Sequence, residues 1–258
     1  MRFSACIEWL FAECGERLAD RVAPAAAAGF SAVEFWNWRG RDLAAISAAA
    51  QDCGVEIAGI CAEPQGQLTD PDAHAAFFPA LEASIAAAKS LRAEFVIVQT
   101  GQNRPGVPHG EQVDAVVQAL AHAARLAEGQ PVTLVLEALN TKVDHPGYFL
   151  DDTALAADIV RAVGHPKLGL LYDRYHAAVM GEEIGYGLSD ALEQVLHVHI
   201  ADLPGRGEPG SGNIDWSREL RWFADHLPKV RIGCEYQPTR ATGQSLSLLA
   251  PWLGSEIN

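Results

Sequence analysis

Short runs of β-type residues recur along this chain, with Ala-rich stretches of helical character between them. The runs are RFSACI from Arg2, AVEFW from Ala32, EIAGIC from Glu56, EFVIVQ from Glu94, VTLVLEA from Val132, LGLLYD from Leu168, LHVHIA from Leu196 and RIGCEY from Arg231. The intervening segments predict helices over Arg17–Ala28, Asp42–Asp52, Asp72–Leu91, Glu111–Glu128 and Thr153–Val163, a helix from Trp216 capped by Asp215, and a closing helix over Ser245–Leu253. Gly29, Gly54 and Gly164 stand where helices of this kind end. Strand alternating with helix implies parallel strands joined by crossover helices. No linker, low-complexity tract or charge run divides the chain, so the expectation is one domain over residues 1–258.

Eight such units in a chain of this length match an α/β fold of the (β/α)₈ TIM-barrel class. The rival is a doubly wound open sheet. That fold favours a glycine fingerprint after the first strand, and IEWLFAECGE has none. The same absence argues against a nicotinamide or flavin cofactor.

The alternation inside the last four strands carries the chemistry. Val132, Leu134 and Leu136 share one face, which leaves Glu137 on the other. By the same period of two, Asp173 opposes Leu170 and Tyr172, His199 opposes Val198 and Ile200, and Glu235 opposes Ile232 and Cys234. In a closed barrel the apolar faces meet the helices, and the four polar residues meet the lumen near the strands' C-terminal ends, where barrel enzymes build their sites. A single acid at a strand end is usually a solvated group or a helix N-cap. Four in succession with the same facing favour a site. Buried carboxylates repel one another, and a divalent cation is the natural compensation. Three oxygen donors and one nitrogen suit Mg²⁺ or Mn²⁺, with Co²⁺ or Zn²⁺ as further candidates. His197 lies one layer deeper and reads as a hydrogen-bonded core histidine or a support for the site.

Composition narrows the partners. The 258 residues are 49% hydrophobic and carry a formal net charge of −14. That acidity disfavours a nucleic acid or an anionic membrane as partner. No apolar run has the length of a membrane span, and MRFSACIEWLF lacks the parts of a secretion signal. The five cysteines follow no metal-finger spacing, so reduced, mostly buried thiols and a cytoplasmic location are expected.

EALN after the fifth strand, YDRYH at the sixth, HIADLPGRGEPGSGNI at the seventh and GCEY at the eighth resemble the sugar isomerase/epimerase TIM barrels (xylose isomerase-like), most nearly the hydroxypyruvate isomerase-like proteins. The resemblance runs through essentially the whole chain, and RGEPGSGNI is its most specific part. It implies that Glu137, Asp173, His199 and Glu235 ligate the metal and that Glu137 and Glu235 also transfer protons. It also implies that His176 and Arg206 contact substrate oxygens. The pattern departs in two places. His199 stands where hydroxypyruvate isomerases carry Gln and ketose 3-epimerases carry His, and WNWRGRD after the second strand differs from the hydroxypyruvate group.

The expected activity is metal-dependent isomerisation of a small hydroxy-carbonyl compound, hydroxypyruvate first, by proton transfer through a metal-stabilised enediolate. A ketose 3-epimerase is the alternative. A metal-dependent endonuclease is disfavoured by the charge, and a non-catalytic sugar-binding barrel by the presence of two candidate bases. Around this centre, His176 is expected in the loop after the sixth strand, as substrate contact or as supporting histidine. Arg206 is expected to bind substrate or to pair with Glu208 in its own loop. Glu34 is expected to face the lumen with Trp36 in a hydrogen-bonded role. Trp9, Trp36 and Trp38 are expected to form an apolar wall.

Overall fold

The computed structural model describes residues 1–253. Its parallel strands are β1 Arg2–Cys6, β2 Ala32–Glu34, β3 Glu56–Ile57, β4 Gly59–Cys61, β5 Phe95–Val98, β6 Thr133–Glu137, β7 Leu168–Asp173, β8 Val195–Ile200 and β9 Arg231–Cys234. They pair in the order β3-β2-β1-β9-β8-β7-β6-β5-β4. The third predicted strand is thus two short ones, interrupted at Ala58. Backbone bonds across the interruption close the ring: Ala58 N donates to Val33 O at 2.8 Å, and Phe95 N to Ala58 O at 2.9 Å. The result is a TIM barrel, as the alternation predicts.

The helices are α1 Leu18–Ala27, α2 Leu43–Cys53, α3 Pro71–Leu91, α4 His109–Leu126, α5 Thr153–Val163, α6 Arg174–Met180, α7 Trp216–His226 and α8 Thr242–Ser245. Five of them start alike, with an Asp side chain accepting a backbone N–H of the first turn: Asp42, Asp70, Asp152, Asp173 and Asp215. Each such cap is worth about 1 kcal/mol and fixes where the loop from the strand must end. Two expectations change. The chain turns into α6 directly after β7, so His176 is on a helix and not in a loop. The closing segment is a short helix over Thr242–Ser245 followed by turns, and residues 254–258 lie outside the described part.

The strand faces divide the interior in two. Leu134, Leu136, Val198, Ile200, Ile232 and Cys234 join one large core between strands and helices. The lumen has its own small apolar layer of Cys61, Ile97, Val135 and Leu171. Leu196 departs from simple alternation. The β7–β8 register shifts between Leu170 and Leu171, and Leu196 packs against the lumen layer. A Cβ at Gly169 would lie 2.4 Å from Leu196 Cδ1, so the missing side chain there makes its space. Below this layer Arg231, 1% exposed, closes the N-terminal end of the lumen with ion pairs to Glu56 and Glu94.

Candidate active site and metal centre

The lumen layer is a floor, and above it the next residues of the same strand faces are polar. Glu137 follows Val135 on β6, Asp173 follows Leu171 on β7, His199 follows His197 on β8, and Glu235 follows Gly233 at the end of β9. All four are buried, and each offers a ligand atom within 4.8 Å of the others'. His199 Nδ1 is the hub, 3.6 Å from Glu137 Oε1, 3.9 Å from Asp173 Oδ2 and 3.5 Å from Glu235 Oε2. Neither of its ring nitrogens has a hydrogen-bond partner among the described residues. An orphaned buried nitrogen facing three buried carboxylates is the donor set a divalent cation takes up, so the residues fit the metal inferred from sequence.

Other side chains hold the acids in place. Gln99 Nε2 donates to Glu137 Oε2 at 3.1 Å, and Trp36 Nε1 donates to Glu235 Oε1 at 2.5 Å. Asp173 spends Oδ1 on the N–H of His176, capping α6, and turns Oδ2 towards the cluster. Asp173 is therefore a helix cap and a member of the cluster at once. Gln99 went unremarked in the sequence, although alternation along EFVIVQ places it on the lumen side.

Arg206 enters from the loop after β8. Its Nη2 pairs with Glu235 Oε2 and lies 3.8 Å from Asp173 Oδ2, and its guanidinium sits between the Trp9 and Tyr175 rings at 5.0 and 5.1 Å. The expected pairing with Glu208 does not form, because Glu208 is taken up by Thr239 and Arg240. The loop's shape explains the reach of Arg206. Asp202, fully buried, accepts the N–H groups of Leu203, Gly210, Gly212 and Ile214. A Cβ at Gly212 would fall 2.2 Å from Leu203 O, so RGEPGSGNI needs its glycine there.

His176 Nδ1 accepts from the backbone N–H of Asn140 at 3.2 Å, which leaves its proton on Nε2, 3.6 Å from Asp173 Oδ2. Trp9 and Trp36 meet edge to face with centroids 4.7 Å apart, on the wall of the cavity. Trp38 does not share that wall: its Nε1 donates to Ser84 Oγ on α3 at 3.2 Å. The cavity measures about 640 Å³ and is lined by Glu137, His145, Tyr175, His176, Arg206 and Glu235 among others. His145 and Tyr175 are further candidates that the sequence reading passed over.

Charge in this pocket is strongly biased. Burial raises the Asp173 carboxyl to about 7; Arg206 opposes the rise and Glu235 adds to it. Burial works against ionisation of Glu137 too, but the His199 imidazole 3.6 Å away and the Gln99 hydrogen bond hold its carboxyl below the ordinary range. Burial disfavours the His199 imidazolium, yet Glu235 and Glu34 keep it well above the usual histidine value. His176 is pushed well below that value by burial and by the nearby Arg206 guanidinium, so it stands neutral.

A family model described as the Xylose isomerase-like TIM barrel matches residues 22–252. The chain belongs to this family. Relatives named as hydroxypyruvate isomerases align at about 30% identity over nearly its whole length. The hydroxypyruvate isomerase of Escherichia coli K12 is 28% identical over 260 residues, covering 98% of this chain and 99% of its own. The 2-oxo-tetronate isomerase of Cupriavidus necator is also 28% identical, with the same coverage. Among solved structures, an AP endonuclease, family 2, from Brucella melitensis superposes with a TM-score of 0.88 at 24% identity, over 98% of this chain and 99% of that one, a likeness of fold alone. The isomerase relatives cover nearly the whole chain, and isomerase is the class of enzyme they support. No helix among the described residues is long and apolar enough to cross a membrane.

Proposed function

We propose that the protein is a metal-dependent isomerase of a small hydroxy-carbonyl acid, with hydroxypyruvate as the first substrate to test. One observation carries this reading: two buried glutamates, on strands separated by β7 and β8, stand 3.6 and 3.5 Å from the same His199 nitrogen, inside a donor set suited to a divalent ion. Glu137, Asp173, His199 and Glu235 would hold a divalent ion (Mg²⁺ or Mn²⁺ before Co²⁺ or Zn²⁺), which would supply Lewis-acid polarisation of an α-hydroxy carbonyl.

The chain's own residues do the rest. One of Glu137 and Glu235 removes the proton from the carbon beside the carbonyl and holds it on a carboxylate oxygen. Return of that proton to the neighbouring carbon, with the hydroxyl proton passing to the former carbonyl oxygen, moves the carbonyl, which is isomerisation. The two glutamates have different partners, Gln99 on one and Trp36 and Arg206 on the other, and so are suited to different proton-transfer roles. Arg206 supplies a cation for a substrate carboxylate, and His176 offers its Nε2–H to a substrate oxygen. The chemistry is redox-neutral and calls for no nicotinamide or flavin.

A second reading, ketose 3-epimerisation, draws on His199 at the position where the resemblance places Gln, and on a cavity of about 640 Å³ that exceeds the needs of a three-carbon acid. The two part experimentally. Metal-supplemented protein is incubated in deuterated water with hydroxypyruvate and with a panel of free ketoses, and the products are read by NMR. Deuterium beside the carbonyl of the hydroxypyruvate product supports the first reading. Inversion at C3 of a ketose, with hydroxypyruvate inert, replaces it by the second, and turnover without metal removes both. Arg206→Ala raises KM for a carboxylate substrate far more than for a neutral sugar.

A further inference from the structure

Beneath the four-residue cluster is a second buried group that the proposed chemistry does not use. Glu34 is 3% exposed, His197 is 1% exposed, and both lie on the lumen side below His199. Glu34 Oε2 is bonded to His197 Nε2 at 2.8 Å and lies 3.5 Å from His199 Nε2, while Ser4 Oγ donates to Glu34 Oε1 at 3.3 Å. The two nitrogens of His199 thus face different carboxylates: Nδ1 the upper three, Nε2 only Glu34.

Glu34, His197 and His199 also have the composition of a metal site, with ligand atoms within 4.8 Å of one another. Three observations argue against a second ion there. A neutral imidazole has one lone pair for a metal, so His199 would have to lose both ring protons to bridge two ions. Glu34 Oε2 is already engaged by His197. The space is also closed: a Cβ at Gly233 would lie 2.2 Å from Glu34 Oε1, 2.7 Å from His199 Cδ2 and 2.9 Å from His197 Nε2. The group fills a mould without a side chain at 233, and it leaves the carboxylate facing His199 from below.

We propose that Glu34 is a positioning residue: its Oε2, 3.5 Å from His199 Nε2 and not hydrogen-bonded to it in the metal-free chain, accepts the Nε2–H when an ion takes Nδ1 and so turns the Nδ1 lone pair towards a single divalent ion, with His197 steering the Glu34 carboxylate. This rests on the metal reading of the preceding subsection. Its physical basis is general: a carboxylate on the far nitrogen of a ligating histidine fixes the ring's tautomer and orientation and raises its basicity as a ligand. The device suits a barrel that carries histidine at this strand position, because an amide side chain has no second ring nitrogen to anchor.

The test is calorimetric titration of metal-stripped protein with MnCl₂, comparing wild type with Glu34→Gln and Glu34→Asp. The melting temperature of each metal-free protein is recorded as a check on folding. One Mn²⁺ per chain is expected in wild type. Glu34→Gln is expected to weaken binding about 10- to 100-fold at a similar metal-free melting temperature, with partial recovery in Glu34→Asp. In ¹⁵N-histidine-labelled wild type loaded with diamagnetic Zn²⁺, His199 should carry its proton on Nε2 and the metal on Nδ1. Two ions per chain, a metal on Nε2, or unchanged Mn²⁺ affinity in a folded Glu34→Gln would each overturn the inference and leave the metal site standing. Absence of any ion in wild type overturns both. The NMR assignment needs no variant, so it decides the matter even if Glu34→Gln does not fold.

Discussion

The two ends of this barrel each gather acidic side chains, and they resolve the charge differently. At the N-terminal end one guanidinium, Arg231, is shared by Glu56 and Glu94, whose side chains keep 59% and 31% of their exposure. Water and one cation are enough, and the cluster acts as a plug. At the C-terminal end Glu137, Asp173 and Glu235 are each exposed by 5% or less, and only Arg206 and His199 oppose them. Solvent cannot relieve that excess; burial raises the Asp173 carboxyl to about 7, and the group as a whole is suited to taking up a cation. The same chemical groups form a structural tie where they are balanced and wet, and a candidate reactive site where they are unbalanced and dry.

Substitution at the upper end should affect rate. Glu137→Gln and Glu235→Gln keep size and hydrogen-bonding capacity but cannot accept the proton, and each is expected to lower kcat about 10²- to 10⁴-fold in steady-state assays. Circular dichroism should show the fold intact. Equal loss of activity and folding would place these residues with the plug instead.

Metal should distinguish the ends next. Mn²⁺ or Mg²⁺ at about 100 times its Kd is expected to add roughly 2.7 kcal/mol of stability, read as a rise in melting temperature over an EDTA-treated sample. Arg231→Met should leave that increment unchanged while lowering the baseline by about 1 kcal/mol, because the two carboxylates it leaves unpaired keep access to water. Its kcat per folded molecule should equal wild type. A metal increment that disappears in Arg231→Met would show the two ends to be coupled.

The smallest effect is on pH. In the metal-free chain Asp173 titrates near 7, above an exposed aspartate, so the folded state holds a proton the unfolded chain has released. Its contribution to stability is therefore complete below the ordinary aspartate range and is lost as pH rises through about 7. Metal affinity should move the other way, rising up to about tenfold per pH unit below 7 as the competing proton leaves. Calorimetric titrations at pH 6 and 8 measure this, and a flat profile would remove Asp173 from the donor set.

Much of this was legible in the sequence because period two is a strict rule in a closed barrel. The facing of Glu137, Asp173, His199 and Glu235 followed from their apolar neighbours, and so did the lumen position of Glu34. What escaped depended on shape. Alternation cannot anticipate that Gly169 admits Leu196 to the lumen. Nor does a local reading of YDRYH show that one aspartate oxygen caps α6 while the other faces the cluster, which is why His176 was expected in a loop. The pairing of Arg206 with Glu235 instead of Glu208 required the fold of a loop tied by Asp202. Trp38 leaves the cavity wall for Ser84 through a contact far apart in sequence.

Gly233 shows what chemical type alone conceals. It donates no proton, binds nothing and carries no charge, yet three atoms of Glu34, His197 and His199 crowd the point where its Cβ would be. Its identity is thus tied to theirs. Any barrel of this family that keeps those three side chains in this arrangement is expected to keep glycine at the matching position, and one that has lost them is free to fill it. An inventory of reactive residues would omit this position, whereas a record of which positions change together across relatives would include it.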